Sequence, residues 1–223
     1  MLDVIKRLRH ILGSSLRFAG GMKSSKNDAS STPRDASLDL IGSLIASGEP
    51  IKLEIGAGTK KGAQGWLTSD QCPGADLMMD LLKPFPFPDN TVSKIYSSHV
   101  LEHFYTDQLK FVLGECRRVL KPGGMMSACV PDAGLYVAAY LHPEAFDAEK
   151  YCKYKPGYNF YSSIDYLNYI AYMGGHHRHM FDMENLLTIL SESGFRNGRA
   201  RKFDPELDLA NRDDESIYAE CEK

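Results

Sequence analysis

From position 51 onward the apolar residues fall into two patterns, short unbroken runs and longer stretches with a helical repeat. Ile51-Lys-Leu-Glu-Ile55 opens the series and predicts a strand buried in a parallel sheet. Trp66–Asp70, Asp76–Met79 and Val92–Ser98 predict the second, third and fourth strands. Leu109, Val112, Leu113, Cys116 and Leu120 then share one helical face, which predicts a helix over 107–120. Lys121-Pro-Gly-Gly124 stops it, because proline cannot continue a helix and glycine suits the reversal. Met125–Val130 reads as the fifth strand. A helix over 182–193, ending at Gly194, leads to a final antiparallel pair at 195–203 and 216–221. This rhythm predicts an α/β protein with a largely parallel sheet and helices on both faces.

Two stretches depart from the rhythm. Residues 1–18 place Leu2, Ile5, Leu8 and Leu12 on one helical face, with Lys6, Arg9 and Arg17 largely elsewhere. A short basic amphipathic helix of this kind serves one of two contacts: a peripheral contact with an anionic membrane surface, or packing on its own domain or on a partner subunit, the second being the commoner. Residues 19–37 are polar and rich in Gly, Ser and Asn, and read as a flexible linker before a short helix over 39–47. The main domain therefore spans 38–223. Inside it, residues 133–180 form an insertion after the fifth strand, holding nine of the twelve tyrosines and ending in Gly174-Gly-His-His-Arg-His179.

Composition narrows the choices. A net charge of −3 gives no reason to expect nucleic acid, whose binders carry a basic face. Cys72, Cys116, Cys129, Cys152 and Cys221 are odd in number and scattered, which suits reduced thiols in a cytoplasmic protein rather than a disulfide framework or a zinc knuckle. No apolar run approaches the roughly 20 residues that cross a bilayer, and the N-terminus lacks the apolar core of a secretion signal.

The candidate chemistry starts at the end of the first predicted strand. Gly56 and Gly58 supply a turn where backbone can bend tightly and a ligand can press close. Glu54, Asp70 and Asp80 follow the first three strands, where open α/β sheets place their ligands. One aspartate after a strand is more often a cap or turn former. Three acidic groups facing one crevice suit the hydroxyls of a nucleoside-containing cofactor.

The ordered set is more specific. Leu53-Glu-Ile-Gly-Ala-Gly58, Gly65-Trp-Leu-Thr-Ser-Asp70, Asp80-Leu with Pro86-Phe-Pro-Asp-Asn90, Ser98-His-Val-Leu-Glu-His103 and Arg118-Val-Leu-Lys-Pro-Gly-Gly124 together resemble a class I S-adenosylmethionine-dependent methyltransferase. The likeness is to the small, type 11-like methyltransferase-domain group found in bacterial surface-sugar gene neighbourhoods. It implies a Rossmann-like, doubly wound, seven-stranded sheet with an antiparallel C-terminal strand. It also implies that Glu54, Gly56, Ala57 and Gly58 hold the methionine part of the cofactor and Asp70 the ribose hydroxyls. By the same likeness Asp80 and Leu81 lie beside the adenine, and Ser98 and His99 close over the methionine end. In one respect this chain departs from the pattern: about ten residues separate Gly56 from Trp66, where a parallel crossover usually needs a dozen or more. The first helix after the glycine turn is therefore expected to be shortened or replaced by a loop. That disfavours a dinucleotide, whose pyrophosphate needs a helix N-terminus.

Methyl transfer needs alignment above all, and a hydroxyl acceptor also needs a base for its proton. His176, His177 and His179 are the candidates, with Asp132 after the fifth strand. His99-Val-Leu-Glu-His103 also resembles a metal-binding H-x-x-E-H helix, but His99 is expected to end a strand, so the two histidines are not expected to converge and no metal is expected. The tyrosines of 133–180 suit a lid that stacks on a sugar or aromatic acceptor, or an amphipathic packing layer. The sequence thus reads as a methyltransferase that uses S-adenosylmethionine, yields S-adenosylhomocysteine and acts on oxygen of a small-molecule or glycan acceptor. A cofactor-binding pseudoenzyme and an NAD-dependent oxidoreductase are the alternatives.

Overall fold

The computed structural model describes residues 33–223, so the helix expected at 1–18 and most of the linker expected at 19–37 lie outside the described residues. Seven strands form one sheet: Ile51–Ile55 (β1), Trp66–Asp70 (β2), Leu77–Met78 (β3), Val92–Ser98 (β4), Leu120–Pro131 (β5), Arg196–Ala200 (β6) and Ser216–Glu222 (β7). Their order is β3-β2-β1-β4-β5-β7-β6. β7 runs antiparallel to both its neighbours, and the other strands are parallel to one another. The apolar run of β1 takes an inner place because all but one of its side chains are buried.

Pairing fixes the two faces. Leu53 lies opposite Ile95 and Met126 follows in the next strand, and this side carries the main core. Ile41 of helix Pro33–Ser47 (α1), Leu109, Val112, Leu113 and Cys116 of Thr106–Val119 (α2), and Leu186 and Leu190 of Met183–Glu192 (α6) all pack there. The opposite side carries Trp66, Tyr96, Cys129 and Tyr218. Helices were expected on both faces; among the described residues no α-helix contributes to this second cluster, which Phe203 and Leu207 of the β6–β7 connection cover instead. Arg201 ties that connection down through both carboxylate oxygens of Asp208, whose Oδ1 also accepts from the Tyr96 hydroxyl at 2.9 Å.

The missing helices trace to short connections. Residues 56–65 contain no helix, as the spacing predicts, and neither do 71–76 or 79–91. Asp76 braces the first of these loops, its Oδ2 accepting from Gly62 N, Thr68 N and the Thr68 hydroxyl.

Three expectations are revised. Helix α1 starts at Pro33, inside the stretch read as linker; proline suits a first helical position because its missing N–H has no partner to lose there. Lys121–Gly124 ends α2 as expected but does not reverse the chain. These residues extend β5, bulging between the pairs Val92–Leu120 and Lys94–Met125. The tyrosines mostly form a packing layer: Tyr136 of Ala133–Leu141 (α3) and Tyr166 and Tyr169 of Ile164–Tyr172 (α5) are buried around Phe146 and Cys152, in a cluster separate from the main core, with the short helix Ala148–Tyr151 (α4) between them. No helix among the described residues is long and apolar enough to cross a membrane.

Candidate cofactor and catalytic site

The carboxyl ends of β1, β2 and β4 converge on the glycine turn. Gly56 and Gly58 take φ of +66° and +69°, left-handed values that favour glycine. A Cβ on Gly56 would lie 2.4 Å from Val100 Cγ2, so the turn also needs glycine to let the loop after β4 close on it. Asp70 clamps the turn: its Oδ2 accepts from Gly58 N at 2.7 Å and its Oδ1 from Cys72 N at 2.8 Å. Ala57 is buried and donates its N–H to Ser69 O.

Glu54 is buried and bonds Lys60 Nζ at 2.8 Å. Asp80 accepts at Oδ1 from Gln71 Nε2 (2.9 Å) and Leu82 N (3.0 Å), while Leu81 turns into the main core. The three carboxylates expected to share a crevice are thus all at strand ends, and the chain Asp70–Cys72 and Gln71–Asp80 holds two of them in one loop system. Each engaged carboxylate oxygen keeps a second lone pair, so these groups retain acceptors for ligand hydroxyls. The donor set fits a nucleoside and a sulfonium, both of which favour anionic or accepting walls.

His99 follows β4 in the left-handed region, at φ +53°, a conformation uncommon for a side chain of this size. Its Nε2 lies 2.8 Å from the Ser216 hydroxyl and its Nδ1 3.8 Å from Glu102 Oε1. Ser98 ends the strand and its carbonyl accepts from Arg212 at 3.3 Å. His103 Nε2 is also 3.8 Å from Glu102 Oε1, and its ring meets that of His177 edge-on at 5.3 Å. The expectation that His99 and His103 do not converge is therefore corrected. Residues Leu101–His103 form one turn of 3-10 helix, and the left-handed His99 bends the chain so that both rings face the carboxylate between them.

The structure separates the other candidate bases. His177 is buried, with Nδ1 2.7 Å from Ile170 O, and burial followed by the charge of His103 lowers its pKa to about 4. His176 pairs with the Tyr154 hydroxyl at 3.2 Å, its pKa lowered chiefly by burial. The His179 ring packs on Phe181 and bonds Asn185 Oδ1, so only its backbone reaches the group, through Glu102 O. Asp132 caps α3, accepting from Gly134 N, and burial raises its pKa. Burial also pushes His99 well below the usual histidine range and Glu102 above the usual carboxylate range. The sequence reading missed Glu102, His103, Arg212 and Ser216; the H-x-x-E-H string carries the signal for the first two.

A cavity of about 550 Å³ lies elsewhere, on the sheet side without helices, lined by Lys52, Trp66, Lys94, Ser127, Arg201 and Glu206. Lys52 and Lys94 sit near the amino ends of their strands, so this space does not coincide with the acidic strand ends.

Comparison with known proteins finds similarity over part of the chain. Residues 53–128 match the profile of the family described as "Methyltransferase domain". A probable S-adenosylmethionine-dependent methyltransferase of Mycolicibacterium smegmatis is 38% identical over 60 residues, which are 27% of this chain and 23% of that protein. The matched segment thus spans under a quarter of that relative. Among solved structures, a SAM-dependent methyltransferase from Archaeoglobus fulgidus aligns over 84% of this chain and 95% of its own at 16% identity and a TM-score of 0.48. One from Mesorhizobium loti aligns over 82% and 96% at 18% identity, also with a TM-score of 0.48.

Proposed function

We infer that this protein, whose residues 53–128 match the methyltransferase-domain profile, binds S-adenosylmethionine at the carboxyl ends of β1, β2 and β4 and methylates a hydroxyl oxygen of a small or carbohydrate-linked acceptor. The observation that carries the reading is the clamped turn: Gly56 and Gly58 are held left-handed, with Asp70 bonded to Gly58 N and flanked by Glu54 and Asp80. When bound, the cofactor supplies an electrophilic methyl group on a sulfonium sulfur. The chain's own residues do the rest. The carboxylates accept bonds from hydroxyl and ammonium groups, and the loop from His99 to His103 closes beside the turn through the Val100–Gly56 contact. Neutral imidazoles next to that loop suit removal of the acceptor's proton as the carbon–oxygen bond forms and the carbon–sulfur bond breaks. A dinucleotide lacks an anchor here, since residues 56–65 offer no helix N-terminus to a pyrophosphate.

Thermal unfolding with S-adenosylmethionine, S-adenosylhomocysteine and NAD in parallel tests the cofactor. A ligand at about 100 times its dissociation constant adds about 2.7 kcal/mol of stability. The sulfur ligands are expected to shift the melt, and Asp70→Asn, which keeps one acceptor oxygen for Gly58, is expected to weaken the shift. A shift with NAD alone, or with none of them, refutes the reading. Incubation with labelled cofactor and hydroxylated sugars tests the acceptor; label found only on nitrogen or carbon rejects O-methylation.

A further inference from the structure

The loop after β4 gathers hydrogen-bond acceptors with nothing to donate to them. Glu102 is 2% exposed, and neither of its carboxylate oxygens meets a hydrogen-bond partner among the described residues. Burying such a group is costly unless something pairs with it. Its neighbours are imidazoles whose protons are already committed. The Ser216 hydroxyl donates to Arg212 O at 2.7 Å, so at 2.8 Å from His99 it accepts the Nε2 proton and leaves His99 Nδ1 bare. His103 Nδ1 sits 2.9 Å from the His176 carbonyl, which requires the proton there and leaves Nε2 bare, 3.8 Å from Glu102. His177 Nδ1 sits 2.7 Å from the Ile170 carbonyl and leaves its Nε2 bare in the same way. One ligand atom each from Glu102, His103 and His177 lie within 4.8 Å of one another.

The geometry points to a site for one divalent first-row transition ion, held by Glu102, His103 and His177 with His99 beside them. Two imidazoles and a carboxylate with open positions suit Zn²⁺, Fe²⁺, Mn²⁺ or Co²⁺ rather than Ca²⁺ or Mg²⁺, which prefer oxygen. A backbone carbonyl on the far nitrogen of a metal-bound histidine is the usual second support, and both His103 and His177 have one. The cations that act on the group are engaged elsewhere: Arg212 on Ser98 O, Lys153 on Asn211 O, and Arg178 on Gly175 O and His177 O. Ligands about 2.0–2.1 Å from a tetrahedral ion stand about 3.3 Å apart, so the side chains would close inward by under about 1 Å each. His103, partly exposed, offers the way in.

Binding of the ion stands apart from the methyltransferase reading; its use rests on that reading. With the ion bound, His103 and His177 would act as ligands in place of bases; beside the Val100–Gly56 contact, the ion would bind the acceptor oxygen, lower the pKa of its hydroxyl and let the proton leave to water as the methyl group arrives.

The test uses full-length protein stripped with EDTA and titrated with Co²⁺ and then Zn²⁺, followed by absorption and equilibrium dialysis. Expected are one ion per chain, cobalt ligand-field bands displaced by zinc, and affinity at least tenfold lower in both Glu102→Gln and His177→Gln. His142→Gln, on an exposed histidine outside the group, should bind as the wild type does. Melting in EDTA checks that the variants fold; Glu102→Gln should match or exceed the wild type there, and added Zn²⁺ should raise the wild type and His142→Gln but neither site variant. Absence of a stoichiometric ion in the wild type, unchanged affinity in both site variants, or loss of binding in His142→Gln overturns the site. An S-adenosylhomocysteine melt on the same samples separates the two readings, because it reports the cofactor whether or not the ion binds.

Discussion

Two residues show how closely single side chains are determined here. Gly56 needs a left-handed φ and also the absence of a Cβ, because Val100 fills the space one would take. Gly56→Ala is expected to cost about 1–2 kcal/mol for the backbone conformation and about 1–3 kcal/mol more for the overlap. Adding Val100→Ala should recover only the second part, which urea unfolding of the single and double variants would separate. Glu115 is the second case. It accepts from Arg118 Nε and Nη2 at 2.8 Å and from Phe85 N, and the Arg118 bond holds its carboxyl below the usual range. A carboxyl with a lowered folded pKa stabilises fully above its unfolded pKa, and the gain is lost as pH falls through the folded value. Glu115→Gln is therefore expected to cost about 1 kcal/mol at pH 7, reduced by the partial exposure of Arg118. The difference from wild type should shrink below pH 4.5, where a free glutamate takes up its proton. Urea titrations at neutral and acid pH check it; a difference that stays constant contradicts the assignment.

At the scale of elements, the insertion and the sheet hold separate cores. Tyr136, Tyr166 and Tyr169 pack among themselves and with Phe146, while α2 and α6 pack on the sheet. Tyr136→Ala is expected to remove about 3–5 kcal/mol from the insertion in particular. Hydrogen exchange should then rise across residues 133–175 with the sheet protected; equal loss of protection in β1 and β4 would show that the two cores unfold as one. The link between the elements is mostly polar: Asp132 pairs with Phe181, Arg178 and His179 donate backbone protons to Glu102 O, and Lys150 and Lys153 reach Asp214 and Asn211 O ahead of β7. These same few contacts set His177 against the loop after β4, so melting the insertion should also disperse the histidine group.

Across the whole molecule as far as residues 33–223 describe it, loops rather than helices cover one side of the sheet, and the β6–β7 connection bears the consequence. Arg201 and Asp208 are almost fully buried, and Asp208 bonds Tyr96, Asp204 N and Arg201 together. Removing one partner leaves the other charge buried, so Asp208→Ala is expected to cost about 3–5 kcal/mol of global stability by urea unfolding. A cost under about 1 kcal/mol would mean the strap opens to water instead.

The sequence by itself determined the strands, the α2 and α6 helices, the missing first crossover helix and the acidic residues at the strand ends. All of these are local: a strand or helix follows from residue period, a turn from glycine, and a short connection from counting residues. The profile match over 53–128 runs from within β1 to within β5 and leaves out α6, β6 and β7. Only the tertiary structure decided how the remaining groups meet. Which side of the sheet lacks helices follows from pairing register, and the tyrosines read as lid or core until their burial settled the matter for Tyr136, Tyr166 and Tyr169. His99 and His103 looked divergent because the string was judged as strand followed by helix. A left-handed His99 and one 3-10 turn bring both to Glu102, and His177 arrives from 74 positions further along than His103. Contacts between residues so far apart in the chain carry no period that a sequence can display, because their meeting depends on how the whole sheet and its insertion pack.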